Sequence, residues 1–512
     1  MASLSPSGSD PFIDPIEEVV EDEALEDSVL VVGRDASLTL ATDSLIVLVA
    51  DENLTRRKTL NCCGLIPSSS KTTQAIPFFN VLWAELSDFE LTLTYARPTS
   101  ENVVRVASIH YLVEKAERRK TIAWISKLLD RAYGESQRRK RIKVLVNPFG
   151  GKGSAQKWYL RDIEPIFAAA RCEVDVERTA YRGHAVEIAA KLDPDAYDVI
   201  ASCSGDGLPH EVFNGLGKKK DARRALSQVA VVQLPCGTGN AMSWNLNGTD
   251  STSVAALCIV KGIRTPLDLV SITQGDKRTL SFLSQAVGVV AEVDLGTENI
   301  RWMGSARFTY GFLVRLLGKT VYPADIAVKV DIPTKASIRE HYRKELSNRS
   351  DFNSRRDPSI VGDSTLPGLR YGSVQDPLPA DWSLVSHDKL GNFYSGNMAF
   401  MAPNANFFPA ALPNDGYTDL VTVDGDISRS AAIKSLMAVE NDTFFDMVHV
   451  NYRKISGYRI IPKGQRSGYI SIDGERVPFE PFQAEVHRGL GTVLSRSGHL
   501  YEAKGVAINT EG

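Results

Sequence analysis

Cysteine is scarce, six in 512 residues, and forms no pattern. Cys62 and Cys63 are adjacent, whereas Cys172, Cys203, Cys236 and Cys258 stand singly in apolar surroundings. That excludes a disulfide framework, and no metal-ligand spacing is present. Long apolar runs are missing as well: nothing approaches the ~18–20 residues that a bilayer-spanning helix needs. The chain opens Met1-Ala2-Ser3 and soon turns acidic, without the basic-then-apolar order of a secretory leader. Excess charge of either sign is also lacking. The 59 Lys and Arg against 62 Asp and Glu argue against a dedicated nucleic-acid binder. A reducing, intracellular and cytoplasmic setting is the expectation.

What is present is enough sequence for two to four domains, at ~150 residues each. Residues 9–27 carry nine carboxylates and no Lys or Arg, so residues 1–27 read as an acidic disordered tail. Short β-branched runs follow at 29–32, 37–41, 45–50, 89–96 and 102–110. Phe89 to Tyr95 alternates apolar with polar, as a half-buried strand does. From Glu114 to Tyr133 the period changes: Ile122, Ile125, Leu128 and Leu129 predict an amphipathic helix. Residues 28–135 thus read as a small β-domain closed by one helix. After a basic linker, strand and helix patterns alternate from Ile142 to about residue 266, which predicts a doubly wound α/β domain with a parallel sheet. From 267 to 505 the strand readings, among them 279–291 and 392–402, lose their intervening helices and predict an antiparallel β-rich domain. Residues 335–381, rich in Ser, Pro, Gly and charge, read as a flexible insert within it.

Three glycine-bearing segments each fall between a strand and a helix. The first is Asn147-Pro148-Phe149-Gly150-Gly151-Lys152-Gly153-Ser154. Its glycines admit close backbone approach, and N–H groups at a helix start favour phosphate; an ordinary βα turn fits equally well. Its Lys spacing is wrong for a Walker-type loop. The second is Ser204-Gly205-Asp206-Gly207, continuing Leu208-Pro209-His210-Glu211-Val212-Phe213-Asn214-Gly215. An acidic residue there stands where α/β sheets bind ligands. Asp206 can take a hydroxyl proton, help to hold Mg²⁺, or cap the next helix. His210 reads as structural. The third is Leu234-Pro235-Cys236-Gly237-Thr238-Gly239-Asn240-Ala241, whose N–H donors suit nucleotide phosphates. Cys236 reads as a small filler.

In this order, with strand–helix units between them, the motifs resemble the catalytic domain shared by diacylglycerol kinases and sphingosine kinases. The Ser-Gly-Asp-Gly-Leu-x-His-Glu-Val-x-Asn-Gly string resembles the sphingosine (sphingoid long-chain base) kinase branch, and Asn-Pro-Phe-Gly-Gly-Lys-Gly its fungal-like form. The likeness runs from about residue 142 to 493, with the insert as a gap. It implies a nucleotide-binding α/β domain, a β-rich domain for the lipid, ATP as co-substrate and Mg²⁺. The implied activity is phosphorylation of the primary hydroxyl of a sphingoid base, with Asp206 as general base. Ser204, Gly205 and Gly207 would lie at the lipid. Asn147, Pro148, Phe149, Gly150, Gly151, Thr179, Glu211, Gly237, Thr238, Gly239 and Asn240 would lie at ATP. Asp294 would meet the amino and hydroxyl head and Glu298 line the same site, while Arg301 and Arg307 would reach the phosphates. A cationic ammonium calls for a desolvated carboxylate, and guanidinium groups suit phosphate. Glu298 with Arg301 also reads as a surface i,i+3 ion pair. Asp473, Gly474 and Glu475 would return to the nucleotide, with Asp473 a candidate Mg²⁺ ligand, although Asp-Gly is equally a hairpin turn. The segment from Pro413 to Leu420 reads as structural.

Other activities share parts of this pattern. Diacylglycerol and ceramide kinases share the three motifs, NAD kinases the Gly-Asp-Gly turn, and a silent lipid-binding regulator could keep the scaffold. Asp294 and the Leu-x-His-Glu string favour the sphingoid base. A membrane-dissolved substrate implies peripheral membrane association. Cys62 and Cys63, downstream of Arg56-Arg57-Lys58, are candidates for S-acylation or are simply two buried thiols. Residues 28–135 resemble a pleckstrin-like module, which has seven strands and a helix.

Overall fold

The computed structural model describes residues 28–33, 36–50, 71–296, 321–347, 365–465 and 467–506. The acidic tail, Cys62, Cys63, Glu298, Arg301, Arg307 and the middle of the insert lie outside the described residues, as does the side chain of Asp294. The chain divides into two compact units, Met1–Arg97 with Val106–Gly134, and Pro98–Arg105 with Glu135–Gly512.

Among the described residues the smaller unit holds an antiparallel four-stranded sheet (Val29–Val32, Ala36–Leu40, Ser44–Ala50, Lys71–Pro77) and most of a three-stranded one (Val81–Ser87, Glu90–Ser100, Val103–Leu112), whose residues 98–105 belong to the larger unit. Alternation drives the pairing: Ala36–Leu40 is buried at every second residue, so one face can be apolar. The helix Arg118–Tyr133 buries Trp124, Ile125, Leu128, Leu129, Ala132 and Tyr133. Its Trp124 Nε1 donates to Ser28 O (3.2 Å) and its Tyr133 hydroxyl to Leu82 O (2.6 Å), which ties it to both sheets. Ile122, expected on the apolar face, is half exposed instead.

In the larger unit four parallel strands lie in the order Ala230–Pro235, Val199–Ser204, Arg141–Val146, Glu173–Arg178. The first two are buried at every residue, as expected of parallel strands covered on both faces; Glu173–Arg178 is the exposed edge. The helix that begins at Ala155 is interrupted by a π-helical turn, Tyr159–Ile163, and ends at Ala169. That turn places Asp162, buried, to receive Arg105 at 2.6 Å.

From Ile263 onward the described residues form an antiparallel sheet of eleven strands. Ile263–Gln274 and Phe482–Ser495 pair along almost their whole length, so the end of the chain lies beside the start of this lobe. Two expectations need correction. The strand read through residue 291 stops at Gly288, where φ is +105° and the Gly391 carbonyl leaves no room for a Cβ; the helix Val289–Gly296 follows. The flexible insert begins with a helix, Lys335–Ser347, which buries Ile338 and Tyr342. Beyond it, the Arg370 and Tyr371 N–H groups both donate to Glu485 (2.9 Å each), and Trp382 is buried.

Candidate functional site

All four parallel strands end on the same side, and the three glycine motifs are the turns that leave three of them. Their glycines are needed because the turns touch backbone to backbone. A Cβ on Gly237 would lie 2.3 Å from both the Cα and the N of Gly205, and one on Gly150 would lie 3.2 Å from the Cys236 carbonyl. Asn147 Oδ1 accepts the Phe149 N–H (3.0 Å), and the Asn147 carbonyl accepts the Gly150 N–H (3.0 Å), folding the first turn before the short helix Gly150–Gly153. Pro148 lies within this turn, Gly151 in the short helix, and the Phe149 ring is exposed. Asn240 closes the third turn on itself, Oδ1 accepting from Gly237 N and Nδ2 donating to Gly237 O, each 3.1 Å. Thr238 stands exposed at its tip.

Asp206 occupies the junction. It does not cap its own helix, Gly207–Gly217. Its carboxylate instead receives the first N–H groups of the helix Ala241–Asn247: Ala241 N to Oδ2 and Met242 N to Oδ1, each 3.0 Å. The Gln233 amide adds a third bond to Oδ1 at 3.2 Å. A carboxylate has about four acceptor positions, so one is left on Oδ2, which lies 3.2 Å from where a Gly239 Cβ would be. Burial pushes the Asp206 carboxyl above its ordinary pKa; the two N–H groups and the Gln233 amide pull it down, and the charge of Asp473 pushes it up. Ser204 donates its hydroxyl to the Gly205 carbonyl at 2.7 Å. Under the two turns the thiols of Cys203 and Cys236, both fully buried, meet at 3.0 Å, which fits the filler reading of Cys236.

The remaining expected residues divide. Thr179, buried, begins the loop after the edge strand, and its N–H donates to Val146 O at 3.0 Å. Glu211, expected at ATP, holds backbone of the loop that begins at Thr179. Its oxygens accept the N–H groups of Gly183 (2.8 Å) and Ala185 (3.1 Å), fixing that loop and the start of His184–Lys191. Asp473 is corrected as a metal ligand. It accepts the N–H groups of Phe282 (3.1 Å), Leu283 (2.9 Å) and Ser284 (2.9 Å), the Ser281 hydroxyl, and a bond with His210 Nδ1 (2.8 Å). With Gly474 it forms a two-residue hairpin turn, φ +52° and +80°, the conformation that Asp-Gly favours. Glu475 reaches the site: its Oε1 lies 3.0 Å from where a Gly207 Cβ would be, and its Oε2 pairs with Arg182. His210, tied to Asp473 and Asn214, is structural as expected.

Two residues of this constellation escape a motif reading. Arg182 is one exposed cation among many in the sequence. Gln233 carried a usable signal, a polar side chain inside the otherwise apolar run Ala230-Val231-Val232-Gln233-Leu234, which must find partners when buried. Among the described residues no group of three or more His, Cys, Asp or Glu is placed to hold a metal.

Comparison with known proteins follows the same division. Residues 141–272 match the model of the diacylglycerol kinase catalytic domain, and residues 28–134 a domain of unknown function. Sphingoid long chain base kinase 5 of Saccharomyces cerevisiae is 33% identical over 86% of this chain and 70% of its own. Sphingoid long chain base kinase 4 of Schizosaccharomyces pombe is 34% identical over 85% and 90%. Sphingosine kinase 1 of Arabidopsis thaliana is 29% identical over 70% and 76%.

Proposed function

This chain belongs to the sphingoid long-chain base kinases, and on that membership we propose that Asp206 is the base that readies a sphingoid primary hydroxyl for attack on ATP. The enzyme transfers the γ-phosphoryl group of ATP to that hydroxyl. The lipid oxygen forms the new P–O bond, the bond to the β-phosphate bridging oxygen breaks, and the hydroxyl proton passes to Asp206 Oδ2. The products are ADP and the lipid 1-phosphate. The observation that carries this reading is the Asp206 carboxylate, held by three donors where the glycine turns meet and keeping one open acceptor position. Its raised pKa, a consequence first of burial, makes it a better base than an exposed Asp.

The turns around Gly150, Gly237 and Gly239 suit the phosphates, and Asn147 and Asn240 keep them folded. Ser204, Gly205 and Gly207 border the hydroxyl. Asp294 on the helix Val289–Gly296 and Glu298 are proposed for the ammonium head, Arg301 and Arg307 for phosphate; these roles rest on the family likeness. Mg²⁺ takes most of its ligands from phosphates and water, with one or two carboxylates. Glu475 fits that demand and Asp473 does not, its oxygens being committed to protein donors. When bound, the ion supplies neutralisation of phosphate charge. Residues 28–135 are proposed to be pleckstrin-like, on the strength of their two sheets and closing helix. No described helix is long and apolar enough to cross a membrane; peripheral binding, with Cys62 and Cys63 acylated, is proposed from the substrate's chemistry.

The test is purified protein with radiolabelled ATP, Mg²⁺ and a panel of sphinganine, sphingosine, phytosphingosine, ceramide, diacylglycerol and NAD. Label is expected in the free bases; label only in ceramide, diacylglycerol or NAD refutes the substrate assignment. Asp206→Asn should lower kcat by about 10²–10⁴-fold with ATP binding retained.

A further inference from the structure

We propose that Gln233 is a positioning residue for this phosphoryl transfer, its side-chain amide setting the orientation of the Asp206 carboxylate against the helix Ala241–Asn247. The inference rests on the reading of Asp206 as the base. Gln233 is 1% exposed, in a strand buried at every position. A primary amide in such a place is tolerated only when both its ends are bonded. Here Oε1 accepts the Ser243 N–H at 2.9 Å, while Nε2 donates to Asp206 Oδ1 at 3.2 Å and lies 3.5 Å from the Ser204 carbonyl. The amide cannot be turned over, because that would set oxygen against the carboxylate and nitrogen against an N–H.

One side chain therefore spans the site. It joins the strand Ala230–Pro235, the end of the neighbouring strand at Ser204, the base, and the helix whose first two N–H groups also hold that base. Without the amide, Oδ1 keeps a single donor, Met242 N, and the carboxylate gains freedom to rotate. Rotation would carry Oδ2, the atom with the open acceptor position, away from the substrate hydroxyl. A misplacement of that kind is felt in turnover before it is felt in binding.

The acid limb of the rate profile supplies an independent signature. Donors to a carboxylate favour its charged form, so losing one raises its pKa. Other groups around Asp206 set the background. Asp473 raises it by charge and is itself paired with His210; Glu475 is paired with Arg182; Glu211 is bonded to backbone; the Cys236 thiol is held uncharged by its contact with Cys203 and by burial. None of these is altered by changing Gln233.

The experiment compares wild type, Gln233→Met, Gln233→Glu and Asp206→Asn for kcat, KM for ATP and for sphinganine, the pH dependence of kcat, and Tm. Gln233→Met should lower kcat about tenfold or more with both KM values within about twofold, and move the acid limb to higher pH. Gln233→Glu keeps an acceptor for Ser243 N–H but sets a second carboxylate against Asp206, so its limb should move further the same way. An unmoved limb in the glutamate variant, or a loss in the methionine variant that follows only its folded fraction, overturns the inference while leaving Asp206 as the base. Near-normal turnover of Asp206→Asn overturns both.

Discussion

A methyl group at Gly237 would meet the Gly205 backbone at 2.3 Å, a contact that no side-chain rotation can relieve. Gly237→Ala must therefore push apart the turn that carries the base and the turn proposed for phosphate. Overpacking of this kind costs about 1–3 kcal/mol. Since the displaced atoms are those of the site, kcat/KM for ATP should fall about ten- to a hundredfold. Gly368→Ala is the control: no atom lies within 4 Å of its added Cβ and φ is ordinary, so steady-state rates and Tm should stay at wild type. The same contact explains what the sequence could disclose at this scale. Glycines grouped after strand readings reveal that backbones must come close. They do not reveal that Gly205 meets Gly237, nor that Asp206 is committed to a helix thirty-five residues later in the chain. Gln233 and Arg182 act through partners distant in sequence, so motif spacing carries no trace of them.

Between elements, the Ile472–Glu475 hairpin is joined to the helix Gly207–Gly217 and to the Ser281–Ser284 turn by one carboxylate, Asp473. Asp473→Ala leaves three N–H groups and His210 without their acceptor, and should cost about 3–5 kcal/mol, read in urea unfolding. Its Mg²⁺ dependence should be unchanged in whatever fraction folds; a large rise in the Mg²⁺ requirement would restore Asp473 as a ligand. His210 adds a pH term. Burial alone would lower its pKa, but the bond to Asp473 and its charge outweigh burial and raise it. A raised histidine stabilises the fold fully below its unfolded value near 6.5, and the contribution is lost as pH rises through the folded value. Wild type should therefore lose stability as pH climbs past the unfolded value and through the higher folded one, and His210→Gln should lack that component. Elements were legible where burial is one-sided. Arg118–Tyr133 shows its period because one face is wet, whereas Thr252–Lys261 is buried almost throughout and displays no stripe to read. Lys335–Ser347 was hidden differently: three well-buried side chains among many charges look like a linker until the sheet beneath them is known.

At the scale of the whole molecule, one apolar cluster runs through both lobes of the larger unit, taking in Leu145, Phe213 and Val231 beside Leu269, Phe408 and Val493. Val493 belongs to Phe482–Ser495, a strand hydrogen-bonded to Ile263–Gln274 on one side and to Asn451–Pro462 on the other. A lobe in which an interior strand is the last of the described strands cannot complete its core until that strand arrives, so the two lobes should melt together. The smaller unit has its own core around Leu38, Leu45, Leu93 and Trp124. Calorimetry should accordingly resolve two transitions, one for each compact unit. Nucleotide with Mg²⁺ at about 100 times its Kd should stabilise only the larger by about 2.7 kcal/mol, because every residue proposed for ATP lies there. Ending the chain at residue 481 should abolish the larger transition and leave the smaller in place. A truncated protein that kept both would mean that Phe482–Ser495 is dispensable to the core, and a nucleotide shift in the smaller transition would move the ATP site out of the glycine turns.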